Sequence, residues 1–143
     1  MKKSASAAWS GGLKEGTGTI STGTGVLHDA PYGFHSRFED SPGTNPEELL
    51  GAAHAGCYTM ALAAGLEQAG FTATRIETKA VVTLDKDKAG DGFAITTVDL
   101  TTRASVSRID TATFDRIAQA TKEGCPISKV LKAQITLDAR LEG

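Results

Sequence analysis

The hydrophobic positions change period several times along the chain, and each change marks an element. Over residues 76–84 apolar and threonine side chains alternate with polar ones, which places Ile76, Thr78, Ala80, Val82 and Leu84 on one face of a strand. Asp91-Gly92 then offers hairpin chemistry, and Phe93 begins a returning strand. In that return Phe93 and Ile95 share one phase while Val98, Leu100 and Ala104 share the other, so a bulge is expected near Thr96 or Thr97. Ala133, Ile135, Leu137, Ala139 and Leu141 alternate cleanly and predict a last strand. The first third is rich in glycine and threonine and reads as a meander of short strands, one of them over 17–22. Residues 32–39 also alternate, with Tyr32, Phe34, Ser36 and Phe38 opposite His35, Arg37 and Glu39, and predict another strand.

Two stretches carry helical punctuation instead. Thr44 or Asn45 can cap a helix whose first position is Pro46, and Glu47 and Glu48 match its positive end. This helix is predicted to run to about Ala69, where Gly70 stops it. Asp110 has the marks of a second cap, with Ile109 and Phe114 spaced as a hydrophobic staple, and the helix over 111–123 ends at Gly124. Cys125-Pro126 opens a short further turn through Ser128 to Leu131. Runs of strands interrupted by two helices predict an α+β domain, the helices packed on one face of a largely antiparallel sheet.

Composition narrows the function classes. At 143 residues, 40% hydrophobic and 22% charged, the chain is expected to form a single globular domain over 1–143. A net charge of −2 leaves no electrostatic footprint for nucleic acid or an anionic membrane surface. The apolar run over 51–66 is broken by His54, Gly56 and Thr59 and reads as too short to span a bilayer. The opening MKKSASAAWSGG lacks the apolar core of a secretory signal, so a cytoplasmic location is expected. Cys57 and Cys125 are too few for a disulfide scaffold and read as catalytic, redox-active or simply buried.

Cys57 falls mid-helix among Ala52, Ala53, Ala55, Gly56, Ala61, Ala63 and Ala64. Such small residues admit close approach of the second helix or of the same helix in a partner subunit. Apolar surroundings raise a thiol pKa, and mid-helix there is no positive field, so a reactive Cys57 needs an external cation. Arg37 is the candidate, its other reading being a charge on a solvated strand face. Glu47 complements the helix dipole, or holds the arginine fork in a bidentate pair. It lies ten residues before Cys57, about 15 Å along a helix, so serving that cysteine requires a neighbouring subunit.

Cys125 sits where a helix begins and a thiolate is favoured. A thiolate that attacks a peroxide gives a sulfenic acid and an alcohol, and a second thiol then condenses with the sulfenic acid to a disulfide. His54 and Cys57, with Cys125 or His35 as a third ligand, form the one metal-site alternative, set against a simply packed histidine. Neither Cys-x-x-Cys nor His-x-x-x-His spacing occurs, and no metal is expected. The early glycines lack the strand, loop and helix order of a phosphate-binding loop.

The stretches PYGFHSRFE, GTNPEELLGAAHAGC and GCPISKVLKAQITLDARL together resemble the OsmC branch of the OsmC/Ohr family of organic hydroperoxide reductases. The resemblance covers nearly the whole chain. It implies an α+β fold built as an intertwined homodimer, with antiparallel sheets from both subunits flanking two central helices and active sites at the subunit interface. By position it makes Cys57 the peroxidatic cysteine, Cys125 the resolving cysteine, and Glu47 the carboxylate that orients an arginine. The Ohr branch takes that arginine from a Gly-Gly-Arg-Asp-Gly loop, which here reads Gly11-Gly12-Leu13-Lys14-Glu15-Gly16. The OsmC branch takes it from a Gly-Phe-x-x-Arg-Phe strand, and Arg37 fits that motif.

The implied activity is thiol-dependent reduction of organic hydroperoxides in oxidative or osmotic stress defence, with a dithiol reductant such as a lipoylated protein and no bound cofactor. Apolar side chains near the site, namely Tyr58, Met60, Phe34 and Phe38, would favour alkyl hydroperoxides. A non-enzymatic thiol redox sensor or stress-response binding protein, and a structural homodimer with buried cysteines, are the competing readings.

Overall fold

The chain folds into six strands and four helices. In the computed structural model, which describes residues 1–143, these are β1 (Ala5–Ser10), β2 (Thr17–Thr22), β3 (Ala30–Tyr32), α1 (Phe34–Phe38), α2 (Pro46–Gln68), β4 (Ala73–Lys86), β5 (Phe93–Val106), α3 (Thr111–Gly124), α4 (Pro126–Val130) and β6 (Gln134–Glu142). They group into two compact units, Met1–Leu49 and Leu50–Gly143.

In the first unit β1, β2 and β3 form an antiparallel sheet in that order. Gly18 stands between Trp9 and Tyr32 in the register, and the two rings meet edge to face at 5.6 Å. A Cβ at Gly18 would come within 2.5 Å of Tyr32 and 2.6 Å of Trp9, so only glycine admits this contact.

The strand expected over 32–39 is not formed: β3 ends at Tyr32 and α1 follows. Ser36 lies at the third helical position, where its Oγ accepts the Gly33 N–H at 2.9 Å and donates to the Thr44 carbonyl at 2.9 Å. The Arg37 N–H closes the turn onto the Gly33 carbonyl. Phe34 and Phe38 share a face at i, i+4 in a helix and also at period two in a strand, so the pattern cannot separate the two over five residues.

The second unit is built on the sheet β4-β5-β6. β4 and β5 pair as the antiparallel hairpin read from Asp91-Gly92, Gly92 taking φ +91°. The register pairs Thr83 with Thr97 and Leu84 with Ile95, leaving Thr96 as the extra residue, so the bulge falls where the phase of the sequence changes. β6 pairs with β5 in parallel, the one exception among strand pairings that are otherwise antiparallel as expected. The chain leaves β5 at Val106, passes through α3 and α4 and crosses back to the end of the sheet at which β5 begins. Such a helical crossover delivers a parallel neighbour.

Asp110 caps α3, its carboxylate accepting the Thr113 N–H at 3.1 Å, and Asn45 Oδ1 accepts the Glu48 N–H at 2.7 Å at the head of α2. α2 is 23 residues long and, by length and composition, apolar enough to cross a membrane, a correction to the reading of residues 51–66 as too short. The reason is that the helix extends past that run at both ends. Its His54, Tyr58, Leu62 and Leu66, each four residues apart, are fully buried and form one face toward the core with Val98, Leu100, Ala104, Phe114 and Ala118.

Contacts around α2 show how closely this face is held. A Cβ on Gly51 would meet Val82 at 3.4 Å, and one on Gly65 would meet Ile117 at 3.2 Å. Thr59 donates to Thr78 at 2.8 Å, Thr78 and Thr102 share a hydrogen bond at 2.8 Å, and Thr102 donates to the Glu77 carbonyl at 3.0 Å, so the buried hydroxyls have partners. Leu62→Ala is expected to lower the unfolding free energy by about 3 kcal/mol in urea denaturation, through lost transfer energy and a residual cavity. Val26→Ala, at a position 85% exposed, is expected to change it little.

Candidate functional site

Helix α2 carries Cys57 at its middle, one turn after the buried His54. Gly124 ends α3, and Cys125 is at once the last-turn cap of α3 and the N-cap of α4, with Pro126 at the first helical position. This placement brings the Cys125 and Cys57 sulfurs, 68 residues apart in sequence, to 3.0 Å. Both thiols are free, Cys125 fully buried and Cys57 partly so. A disulfide has an S–S bond of about 2.05 Å, so closure needs a shift of roughly 1 Å.

The two thiols are electrostatically unequal. Burial pushes the Cys57 thiol up, and the hydrogen bond with Cys125 raises it further, against a weaker pull from the Ile127 N–H. Burial also pushes Cys125 up, but the hydrogen bond with Cys57, the N–H groups of Ser128 and Ile127 and the Ser128 hydroxyl outweigh it and bring that thiol below its ordinary value. Mid-helix and helix-start positions thus act on the two sulfurs as expected from sequence. Within the unit the first negative charge rests on Cys125, and a Cys57 thiolate needs a cation.

Beneath the sulfur pair lies a second contact between the same two helices. His54 Nε2 and Ser128 Oγ are 2.8 Å apart, both residues buried. Burial holds the His54 pKa below its ordinary value, and its Nδ1 has no hydrogen-bond partner. Sequence reading treated His54 as a packed side chain or metal ligand and gave Ser128 no role. The matching i, i+3 spacings of His54 to Cys57 and Cys125 to Ser128 were the available signal. No group of three His, Cys, Asp or Glu side chains is arranged to hold a metal ion.

In the first unit Arg37 and Glu47 form the bidentate pair that their residue types allow. Arg37 Nη2 donates to Glu47 Oε1 at 2.8 Å, and Arg37 Nε donates to Oε1 at 3.0 Å and to Oε2 at 3.3 Å. The Glu47 side chain is 12% exposed and that of Arg37 39%. Arg37 therefore projects from helix α1 rather than from the expected strand, and its guanidinium also lies 5.4 Å from the Phe38 ring centre. An open cavity of about 280 Å³ is lined by Trp9, Leu13, Tyr32, Phe34, Arg37 and Phe38.

Of the four apolar side chains expected near the site, Phe34 and Phe38 line this cavity. Tyr58 is instead a core residue, donating its hydroxyl to the Ala118 carbonyl at 3.1 Å, because the face of α2 on which it falls is the buried one. Met60 is exposed.

Residues 38–140 match the family model described as OsmC-like protein. The chain is 56% identical to the peroxiredoxin OsmC of Escherichia coli K12 over 142 residues, which is 99% of this chain and 98% of that protein. The chain belongs to the OsmC family. It is also 29% identical to the organic hydroperoxide resistance protein OhrB of Bacillus subtilis over 87% of its length and 88% of that protein. The crystal structure of OhrB superposes with a TM-score of 0.70 at 25% identity, covering 97% of this chain and 98% of that one. An OsmC-like protein of Vibrio cholerae has the same fold, with a TM-score of 0.78 at 15% identity over 98% of this chain and 99% of that one. Membership in the OsmC family and the α+β class agree with the expectations from sequence.

Thiolate ultraviolet absorbance followed from neutral to alkaline pH is expected to rise in two separated steps, one below and one above the range of an ordinary cysteine. In Cys57→Ser, where a hydroxyl donor remains beside Cys125, the lower step persists and the upper one disappears. Two superimposed steps at the ordinary value would contradict the inequality of the pair.

Proposed function

We propose that the chain is a two-cysteine thiol peroxidase that reduces organic hydroperoxides to alcohols in stress defence. As an enzyme it is a peroxidase, in keeping with 56% identity over nearly its full length to a protein named peroxiredoxin OsmC. The observation that carries the chemistry is the 3.0 Å approach of Cys57 and Cys125. Cys57 Sγ, as thiolate, attacks the distal peroxide oxygen; the O–O bond breaks, the alkoxide takes a proton, and Cys57 is left as sulfenic acid. Cys125 Sγ displaces water from that sulfenic acid and forms the disulfide. A dithiol, such as a lipoylated protein, then restores both thiols by exchange.

Cys57 serves as nucleophile once a cation offsets its burial, and Arg37, held by Glu47, has the donor fork to stabilise both a thiolate and a peroxide oxygen. Glu47 is about 15 Å along α2 from Cys57, so the guanidinium comes from a second copy of the chain in a homodimer. The exposed Ala52, Ala53, Gly56, Met60 and Ala64 on α2 are small or apolar, consistent with burial against that copy. The aromatic cavity at Arg37 suits an alkyl or aryl hydroperoxide better than hydrogen peroxide, because only the former gains apolar contact.

Dithiol-reduced protein mixed with cumene hydroperoxide is expected to turn over, losing two thiols per chain when the dithiol is withheld. Cys57→Ser should be inert, Cys125→Ser should stop at a sulfenic or over-oxidised Cys57, and Arg37→Ala should lower kcat/KM about a hundredfold. Thiol loss without turnover would mark a redox sensor, and inert thiols a structural protein. Light scattering should give a dimer that Met60→Glu weakens, with activity falling in parallel.

A further inference from the structure

Two rungs connect α2 to the start of α4: Cys57 to Cys125 at 3.0 Å and, one turn away on each helix, His54 to Ser128 at 2.8 Å. The upper rung accounts for the redox chemistry proposed above. His54 in the lower rung is fully buried, with Ser128 near the surface beside it, and a buried histidine with one ring nitrogen unpartnered is a costly way to fill core space.

The unpartnered nitrogen decides the tautomer. A proton on Nδ1 would be a buried donor without an acceptor, whereas a lone pair there costs less, so the neutral ring carries its proton on Nε2 and donates it to Ser128 Oγ. The Ser128 hydroxyl, accepting from His54, has its own proton free to donate. Ser128 is the third residue of α4, and Cys125 is the N-cap, so hydroxyl and sulfur lie across one helical turn. The N–H groups of Ser128 and Ile127 are directed to the same sulfur. Cys125 is thereby surrounded by donors, while Cys57 has the Ile127 N–H alone besides its partner sulfur.

We propose that His54 is a positioning residue which, through Ser128, stabilises Cys125 as the thiolate expelled when an external thiolate opens the Cys57–Cys125 disulfide. This rests on the disulfide cycle proposed above and deepens its reductive half. One sulfur of the dithiol bonds to Cys57 Sγ as the S–S bond breaks, and the bonding pair leaves on Cys125 Sγ, where the Ser128 hydroxyl and the two N–H groups receive it. The second sulfur of the dithiol, as thiolate, then displaces Cys57, giving a cyclic disulfide and two reduced cysteines. The better-stabilised sulfur is the better leaving group, and the partly exposed sulfur of Cys57 is the one open to attack.

The test starts from protein oxidised with diamide, so that the disulfide is formed whether or not a hydroperoxide can form it. Oxidised wild type is treated with mercaptoethanol, acid-quenched and alkylated, and the mixed disulfide is mapped by mass spectrometry. The adduct is expected on Cys57 with Cys125 alkylated. Stopped-flow reduction by dithiothreitol is expected to slow about tenfold in Ser128→Ala and in His54→Leu, relative to the rate of peroxide consumption by the reduced protein. His54→Gln, whose side-chain N–H can replace the Nε2 donor, should recover most of the rate.

An adduct on Cys125, an unchanged reduction rate in Ser128→Ala, or equal slowing of both half-reactions would overturn the proposal. Failure of the wild type to consume hydroperoxide would count against the peroxidase reading alone. Ser128→Ala removes one surface-proximal oxygen and keeps the assay decisive if His54→Leu does not fold.

Discussion

The packing of one face of α2 against β4 and α3 is the constraint on which the rest of the unit Leu50–Gly143 depends. Tyr58, Leu62 and Leu66 are withdrawn completely from water, each contributing about 2 kcal/mol by apolar burial, and Tyr58 fastens the helix by donating to the Ala118 carbonyl. Once α2 is seated, His54 and Cys57 have fixed positions, because a rigid helix rotates all its side chains together. The crossover from β5 to β6 must then return over the same helix. The break between α3 and α4 falls where Gly124, Cys125 and Pro126 end one helix and start another, and that break meets Cys57.

This geometry makes two identical thiols chemically different chiefly through burial and hydrogen bonds. Cys57 lies where helical N–H groups are already used by the i−4 carbonyls, so burial dominates and its proton is held. Cys125 lies at a helix start, where N–H groups lack intrahelical acceptors, and these groups, with the hydrogen bond it shares with Cys57, overcome the same burial penalty. The arrangement suits a cycle in which one sulfur meets the oxidant and the other departs in reduction. The proposed attack by Cys57 calls for a cation beside a buried sulfur, and the guanidinium of Arg37, oriented by Glu47, is the one proposed for that role.

The first unit solves a separate problem, holding a long, flexible cation in one orientation. Two donors of Arg37 reach the Glu47 carboxylate, and the Phe38 ring lies beside the guanidinium plane. A lysine would keep the charge and lose the fork. The surrounding aromatic side chains are organised by the contact of Trp9 with Tyr32 over Gly18, so a glycine in β2 ultimately shapes the cavity at Arg37.

Sequence alone determined the elements whose signals are local. The caps at Asn45 and Asp110, the hairpin at Gly92, the bulge at Thr96 and the short helix after Cys125 each depend on a few neighbouring residues, and so could be read directly. Cys57, Cys125, Arg37 and Glu47 were singled out by residue type together with the family resemblance, and the structure pairs Cys57 with Cys125 and Arg37 with Glu47. Helix α1 was not, since five residues are too few for periods of 2 and 3.6 to diverge and the deciding contact, Ser36 to Thr44, is not local in pattern. Only tertiary structure decided that β6 runs parallel to β5, that Tyr58 belongs to the core, and that His54 meets Ser128 across 74 residues. Those outcomes depend on which faces of separate elements come together, and that is set by the burial of the whole apolar surface at once rather than by any one segment.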